Sequence, residues 1–242
     1  MIKKIYDTFI LKYPILVLLL LSLFVSILGY YSTKVEVDAS AETLLLDDDK
    51  DLKFFREINK RYNNSNFLIV TFTPHENLLS NQSLDTIRTL SKEFLTVKNI
   101  EGVDSILTVP LLQSPIRPIS DLVAGVDSME TKEFDKELIK NEFLTSPLYK
   151  NALVSADFKT TALILNIKND TKYFELLEKR NSLSAKEKEE NITKEEKIEL
   201  EKTLIEFKNY RDLIRKNDTQ NIENIRNIIK KYEANGKIFL GG

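Results

Sequence analysis

Phe67-Leu68-Ile69-Val70-Thr71-Phe72-Thr73-Pro74 is the stretch on which the reading of the chain turns. Phe67 to Phe72 is apolar, aromatic or β-branched throughout, which suits a buried central strand. Thr73-Pro74 ends it, because proline has no N–H to give to a sheet ladder. Downstream, Ser80 or Ser83 can cap a helix that carries Leu84, Ile87, Leu90 and Phe94 on one face. Glu101-Gly102 reads as the break after that helix, and Val103 to Val109 as a second strand. Much later, Thr161 to Ile167 is another strong strand. Ile222, Ile225, Ile229 and Tyr232 then share one face of a helix with Asn235-Gly236 as its C-cap. Lys237 to Leu240 begins a last strand. The order is β-α-β followed by β-α-β, so the expected class is α+β. Its expected plan is the ferredoxin-like split βαβ arrangement, with two helices over one face of four strands.

Two insertions interrupt this plan. The first holds Pro110, Pro115 and Pro118, a helical stretch near Phe134 to Phe143, and a hairpin around Ala156-Asp157-Phe158-Lys159. The second is a charged helical hairpin over about residues 172–216. Within it, Ser184-x-x-Glu187 and Thr193-x-x-Glu196 both read as capping boxes. The second box opens a helix with Leu200, Leu204, Phe207, Arg211 and Ile214 in one stripe, against which Tyr173 to Leu183 can pack. The lysines and glutamates here suggest either a docking arm or a solvated face with i, i+4 pairs.

Upstream, Tyr13 to Thr33 holds no charged residue, and Ile15 to Leu28 is almost wholly Leu, Ile, Val and Phe. About twenty such residues in a helix cover the roughly 30 Å hydrocarbon core of a bilayer. Lys3, Lys4 and Lys12 precede the stretch, which places the N-terminus in the cytoplasm and everything after Lys34 outside it. Tyr30 and Tyr31 fall where an interfacial aromatic belt is expected. A cleaved signal peptide also starts basic, but this stretch is longer than a signal core and no A-x-A-like site follows. The expected organisation is therefore 1–12 as a cytoplasmic or interfacial N-terminus and 13–33 as a transmembrane helix. Residues 34–65 are a connector with a helix, and 66–242 an exported α+β domain. In the connector, Val35 to Leu46 is extended, and a helix follows with Leu52, Phe55, Ile58 and Tyr62 in one stripe.

Composition narrows the chemistry. The 242 residues carry a formal net charge of −2, no Cys and one His. A near-neutral balance argues against a dedicated nucleic-acid binder. Without Cys there is no disulfide, thiolate metal site or Cys nucleophile, and one His cannot make a His-based cluster. His75 follows Pro74 in an expected turn and has no catalytic motif around it. Asp47, Asp48, Asp49 and Asp51 precede a helix, where they cap free N–H groups, and the EF-hand glycine and distal Glu are missing. Gly241-Gly242 lacks the Lys-Ser/Thr of a phosphate loop. No catalytic, cofactor-binding or metal site is expected, and no enzyme.

Several stretches, in order, resemble the N-terminal portion of an exporter of the resistance-nodulation-cell division (RND) superfamily, in its MMPL-like or hopanoid-exporter-like branch. They are Val37-Asp38-Ala39-Ser40-Ala41-Glu42-Thr43-Leu44-Leu45, then Leu52-Lys53-Phe54-Phe55-Arg56-Glu57-Ile58-Asn59 leading into 67–74. Gly102-Val103-Asp104-Ser105-Ile106-Leu107-Thr108-Val109-Pro110-Leu111 follows. Pro147-Leu148-Tyr149, Leu153-Val154-Ser155-Ala156-Asp157 and Thr160-Thr161-Ala162 complete the set. The resemblance implies a first transmembrane helix leading into a periplasmic porter domain of ferredoxin-like subdomains, in a bacterial inner membrane. It implies export of hydrophobic or lipid-like compounds, driven by protons through ionisable residues in a later helix. No such residue lies in the apolar stretch here, so the chain is expected to be a porter fragment, incomplete at its C-terminus and not transport-competent alone. Its expected partners are the lipid bilayer, the rest of the transporter or a partner membrane subunit, and a hydrophobic or lipid substrate. The alternative is a single-pass, membrane-anchored extracytoplasmic binding or scaffold protein.

Overall fold

The computed structural model describes residues 13–32, 66–116, 125–132 and 135–241, together with 51, 54, 57 and 58. The chain divides into two units, Met1–Asn64 and Ser65–Gly242. In the first, helix α1 spans Pro14–Ser32, 19 residues with none buried. At 1.5 Å per residue it is about 28 Å long. It is long and apolar enough to cross a membrane. Proline suits its first turn, where an N–H would have no partner in any case. Tyr30 and Tyr31 stack edge to face at 5.7 Å near its C-terminal end. Residues 51, 54, 57 and 58 are helical, as the Leu52–Tyr62 stripe predicts for that region. Lys3, Lys4, Lys12, Asp47 to Asp49 and the extended connector of Val35 to Leu46 lie outside the described residues.

The second unit is built on a four-stranded sheet. Its strands are β1 (Phe67–Pro74), β2 (Ile100–Asp104), β3 (Thr161–Ile167) and β4 (Gly236–Gly241). Their spatial order is β2-β3-β1-β4, and every neighbouring pair is antiparallel. Among the described residues of this unit, four α-helices accompany them: α2 (Asn81–Phe94), α3 (Lys136–Thr145), α4 (Thr171–Lys188) and α5 (Lys194–Lys231). The class is α+β, as expected.

β1 is central, but only one of its faces is buried. Val70 and Phe72 are fully enclosed, whereas Phe67 on the other face is 53% exposed. Register carries the pattern across the sheet. Val70 lies opposite Leu163 and Leu240, Phe72 opposite Ile238, and Val103 opposite Leu165. Since side chains alternate along a strand, these residues share one face. That face forms one core with Ile87, Leu90 and Phe94 of α2 and Ile225, Ile228 and Ile229 of α5. Ile139 and Phe143 of α3 join the same cluster. Ser80 caps α2 by accepting from Ser83 N at 3.2 Å, and Asp135 caps α3 by accepting from Glu137 N at 2.8 Å.

Several boundaries differ from expectation for local reasons. The second strand is Ile100–Asp104, not Val103 to Val109. After Asp104 the chain folds into a turn, with Thr108 Oγ1 accepting from Ser105 N at 2.9 Å and Ser105 Oγ accepting from Leu107 N at 3.2 Å. Glu101-Gly102 therefore breaks nothing: Gly102 pairs with Asn166 beside an irregularity in the β2–β3 register. Around Ala156 to Lys159 there is a turn with a single bridge, Val154 to Thr161, in place of a full hairpin. Ser184 opens no helix, since it lies inside α4, which begins instead at an Asp170 cap.

The largest correction concerns the end of the charged insertion. No boundary exists near residue 216: the helix from Thr193 and the helix carrying Ile222 to Ile229 are one continuous element of 38 residues. Lys216 to Asn221 holds neither Gly nor Pro. The hydroxyl of Thr219 donates to Arg215 O at 2.9 Å, so a poor helix former is satisfied within the helix. At the other end, Asn235-Gly236 is not the C-cap. The helix stops at Lys231, a short 3-10 turn covers Glu233–Asn235, and Gly236 already belongs to β4.

Candidate functional site

Two surfaces of the chain have the character of working surfaces: the apolar helix α1 and the hairpin of α4 and α5. In α1, leucine, isoleucine, valine and phenylalanine cover every side. Leu18, Leu19, Leu21 and Phe24 are each 58% exposed or more. A helix apolar all round is buried or lies in lipid.

The hairpin starts at Asp170. Its carboxylate accepts from Tyr173 N at 3.0 Å, which caps α4. The same carboxylate accepts from Tyr210 Oη at 3.1 and 2.9 Å, which ties the cap to α5. Burial, then the hydrogen bond to Asp170 and its charge, push the Tyr210 hydroxyl above its usual range. Burial, then the Asp170 charge, also raise the carboxyl of Asp218. Between the helices, Leu176, Leu177 and Phe207 make a small core of their own, flanked by Tyr173 and Tyr210. The Arg180 guanidinium lies 4.5 Å from the Phe207 ring centre. Ion pairs then run between the helices along the hairpin: Lys172–Glu206 at 3.6 Å, Lys179–Glu199 at 2.6 Å, Lys197–Glu187 at 3.7 Å, and Lys186–Glu196. The Thr193 capping box forms as read from sequence, with Glu196 N on Thr193 Oγ1 at 3.2 Å and Thr193 N on Glu196 Oε2 at 3.0 Å. The hydrogen bonds from Lys186 and then Thr193 N hold the Glu196 carboxyl below the usual range. Most of these charges belong to a solvated, paired seam rather than to a reaction centre.

An open depression of about 380 Å³ sits on this hairpin, lined by Lys179, Glu195, Glu199, Lys202 and Glu206 among others. Its walls are charged, unlike the mostly apolar pockets that hold small ligands.

The residues considered for chemistry are scattered. His75 is exposed, and its backbone N–H donates to Asn235 O at 3.4 Å. Asp51 is an exposed helical residue. Gly241 is in β4, paired with Ile69. No group of three or more His, Cys, Asp or Glu able to hold a metal occurs among the described residues.

One buried polar centre escapes a sequence reading. Glu142 of α3 is 2% exposed, and its Oε1 accepts from Leu112 N at 2.7 Å. Its Oε2 and the hydroxyl of Ser114 are buried without a hydrogen-bond partner among the described residues. Tyr149 donates to Pro110 O beside it, and burial followed by the Glu142 charge push that hydroxyl up. The centre pins the proline-rich segment to α3. A Glu in an amphipathic helix reads as surface, so only its tertiary partner marks it.

No family model, no curated protein and no solved structure matches the chain.

Proposed function

We propose that the chain is the N-terminal, membrane-anchored porter-type module of a proton-driven RND-like exporter of hydrophobic or lipid-like compounds. In this reading α1 spans a bacterial cytoplasmic membrane and the unit from Ser65 onward stands on its outer side. The observation that carries the reading is the antiparallel order β2-β3-β1-β4, with α2 following β1 and α5 preceding β4 in sequence. Interleaving two βαβ halves in this order is the ferredoxin-like plan, the unit from which porter domains of that superfamily are made. A doubly wound parallel sheet would have been incompatible with it. α1 holds no Asp, Glu, Lys, Arg or His, so the module has no proton relay within its own membrane segment. Transport then needs partner helices that bear acidic residues.

Two measurements test this reading. A cysteine placed at Glu175 in the otherwise Cys-free chain should react with an impermeant maleimide in intact spheroplasts. Labelling only after lysis would overturn the orientation. Isolation of the tagged chain from its native membrane should bring along polytopic segments with acidic residues in a central helix. A chain isolated without them favours the second reading, a single-pass scaffold. What supports that alternative is the set of large apolar side chains that the hairpin leaves in solvent.

A further inference from the structure

On α5, Ile198, Ile205 and Leu213 are 56%, 64% and 53% exposed. Seven residues separate the first two and eight the next, close to two turns each, so the three form one stripe along the helix. The stripe lies outside the α4 contact, in which Phe207 is buried against Leu176 and Leu177, and its Ile198 end borders the depression that Lys179 of α4 also lines. Lys202 lies within it, and Glu195 and Lys216 stand at its two ends. Eight charged residues of the hairpin are engaged in the inter-helix ion pairs, and Glu195 and Lys216 are among those with no ion pair among the described residues.

We propose that this stripe is the contact by which two copies of the chain associate, hairpin against hairpin, through an antiparallel pairing of their α5 helices about a twofold axis. The positions are self-complementary. With the axis between Ile205 and Glu206, Ile198 of one copy meets Leu213 of the other, and the Ile205 side chains meet near the centre. Glu195 then faces Lys216 at both ends, and Lys202 faces the uncharged Asn209. A twofold contact uses the same patch on both copies, which this sequence satisfies. Parallel pairing would set Glu195 on Glu195, Lys202 on Lys202 and Lys216 on Lys216, so like charges oppose it. The spacing of the apolar side chains suits helix packing of the bundle type, with charges at the rim. Three apolar residues per copy make a modest contact. Anchoring both copies in one membrane raises their effective concentration, so a modest contact suffices. The inference rests on the membrane anchoring of α1 proposed above, but not on the chain belonging to an exporter.

The chain has no cysteine, so disulfide trapping in the full-length, membrane-embedded protein reads the geometry directly. A disulfide needs Cβ atoms about 4 Å apart. Ile205→Cys should form a cross-linked species of twice 28.0 kDa on mild oxidation. Ile198→Cys and Leu213→Cys should each cross-link poorly alone and several-fold better when the two variants are mixed. Glu175→Cys, on α4, sets the level of random collision. Glu195→Lys should weaken the mixed cross-link, and Lys216→Glu in the same chain should restore it. All these sites are solvent-exposed, and an unchanged circular dichroism spectrum confirms that each variant is folded. Self-linking of Ile198→Cys that matches or exceeds the mixed product would overturn the antiparallel pairing. Cross-linking no better than Glu175→Cys would overturn the association itself. Capture of a different protein by Ile205→Cys without self-linking would do the same and assign the stripe to a foreign helix.

Discussion

Tyr232 Oη donates to Glu93 Oε1 at 2.6 Å, across 139 positions of sequence. Lys231 Nζ occupies the other carboxylate oxygen at 2.8 Å. Together they fasten the C-terminal end of α5 to the last turn of α2, the two helices that share the core face of the sheet.

Replacing Glu93 by Gln removes the charge and the pairing with Lys231. The pair is partly exposed, so screening limits its worth. The expected loss is about 1 kcal/mol, and Glu93→Ala should cost about twice that. Urea unfolding followed by far-UV circular dichroism measures both.

The same triad predicts two pH limits. Lys231 and then Tyr232 hold the Glu93 carboxyl below its usual range. Its contribution is complete above the ordinary carboxylate pKa and is lost as pH falls through the depressed one. The Glu93 hydrogen bond, then burial, raise the Tyr232 hydroxyl. That contribution is complete below the ordinary tyrosine pKa and is lost as pH rises through the raised one. A profile of unfolding free energy against pH should therefore decline at both ends. In Glu93→Gln the part of the acid decline due to this residue should be absent.

Gly236 tolerates no Cβ. An added Cβ would stand 2.4 Å from Thr73 O and 2.8 Å from Pro74 Cα, both backbone atoms of the neighbouring strand. Gly236→Ala should destabilise the domain by about 2–3 kcal/mol through overpacking. Gly102→Ala is the contrast: its new Cβ meets Asn166 Nδ2 at 3.4 Å, an ordinary contact. Thermal unfolding should rank Gly236→Ala far below Gly102→Ala.

Phe207 is the largest side chain in the core of the hairpin, 4% exposed. Phe207→Ala should cost about 3 kcal/mol there. Since that core is separate from the one under the sheet, the loss should be local. Hydrogen exchange should quicken over residues 171–214 while β1 and β3 stay protected. Uniform loss across both regions would show that hairpin and sheet unfold as one.

Glu142 separates two roles of a buried carboxylate. Glu142→Gln keeps an acceptor for Leu112 N, whereas Glu142→Leu leaves that donor unpaired. The Leu variant should be less stable than the Gln variant by about 1–3 kcal/mol. In both, the titration of Tyr149 should move down towards its ordinary value, because one cause of its rise is the Glu142 charge.

Local patterns were legible where the local signal and the tertiary outcome coincide. The α2 stripe of Ile87, Leu90 and Phe94, the β3 run and the Thr193 capping box could all be read from neighbours in sequence. Boundaries failed where polar side chains decided the matter. Ser105 and Thr108 close a turn that a run of β-branched and apolar residues conceals. Asp170 moves the start of α4 upstream, which leaves Ser184, read as a cap, in the helix interior. The continuity of α5 was hidden for a different reason. Its apolar stripe changes partner from α4 to the sheet near residue 216, so one helix carries two successive patterns that look like two helices. The functional surfaces divide in the same way. The apolarity of α1 is plain in composition, but the exposure of Ile198, Ile205 and Leu213 depends on which face α4 takes.

That continuity has a mechanical consequence. At 1.5 Å per residue α5 is a rod of about 57 Å, with no glycine or proline in its 38 residues at which to flex. Ile225, Ile228 and Ile229 pack in the core under the sheet at one end, and the Ile198 turn at the other is tied to α4 by ion pairs. Such a rod transmits torque. With no hinge residue along the rod, the hairpin tip is tied stiffly to the end of α5 that Glu93 clasps.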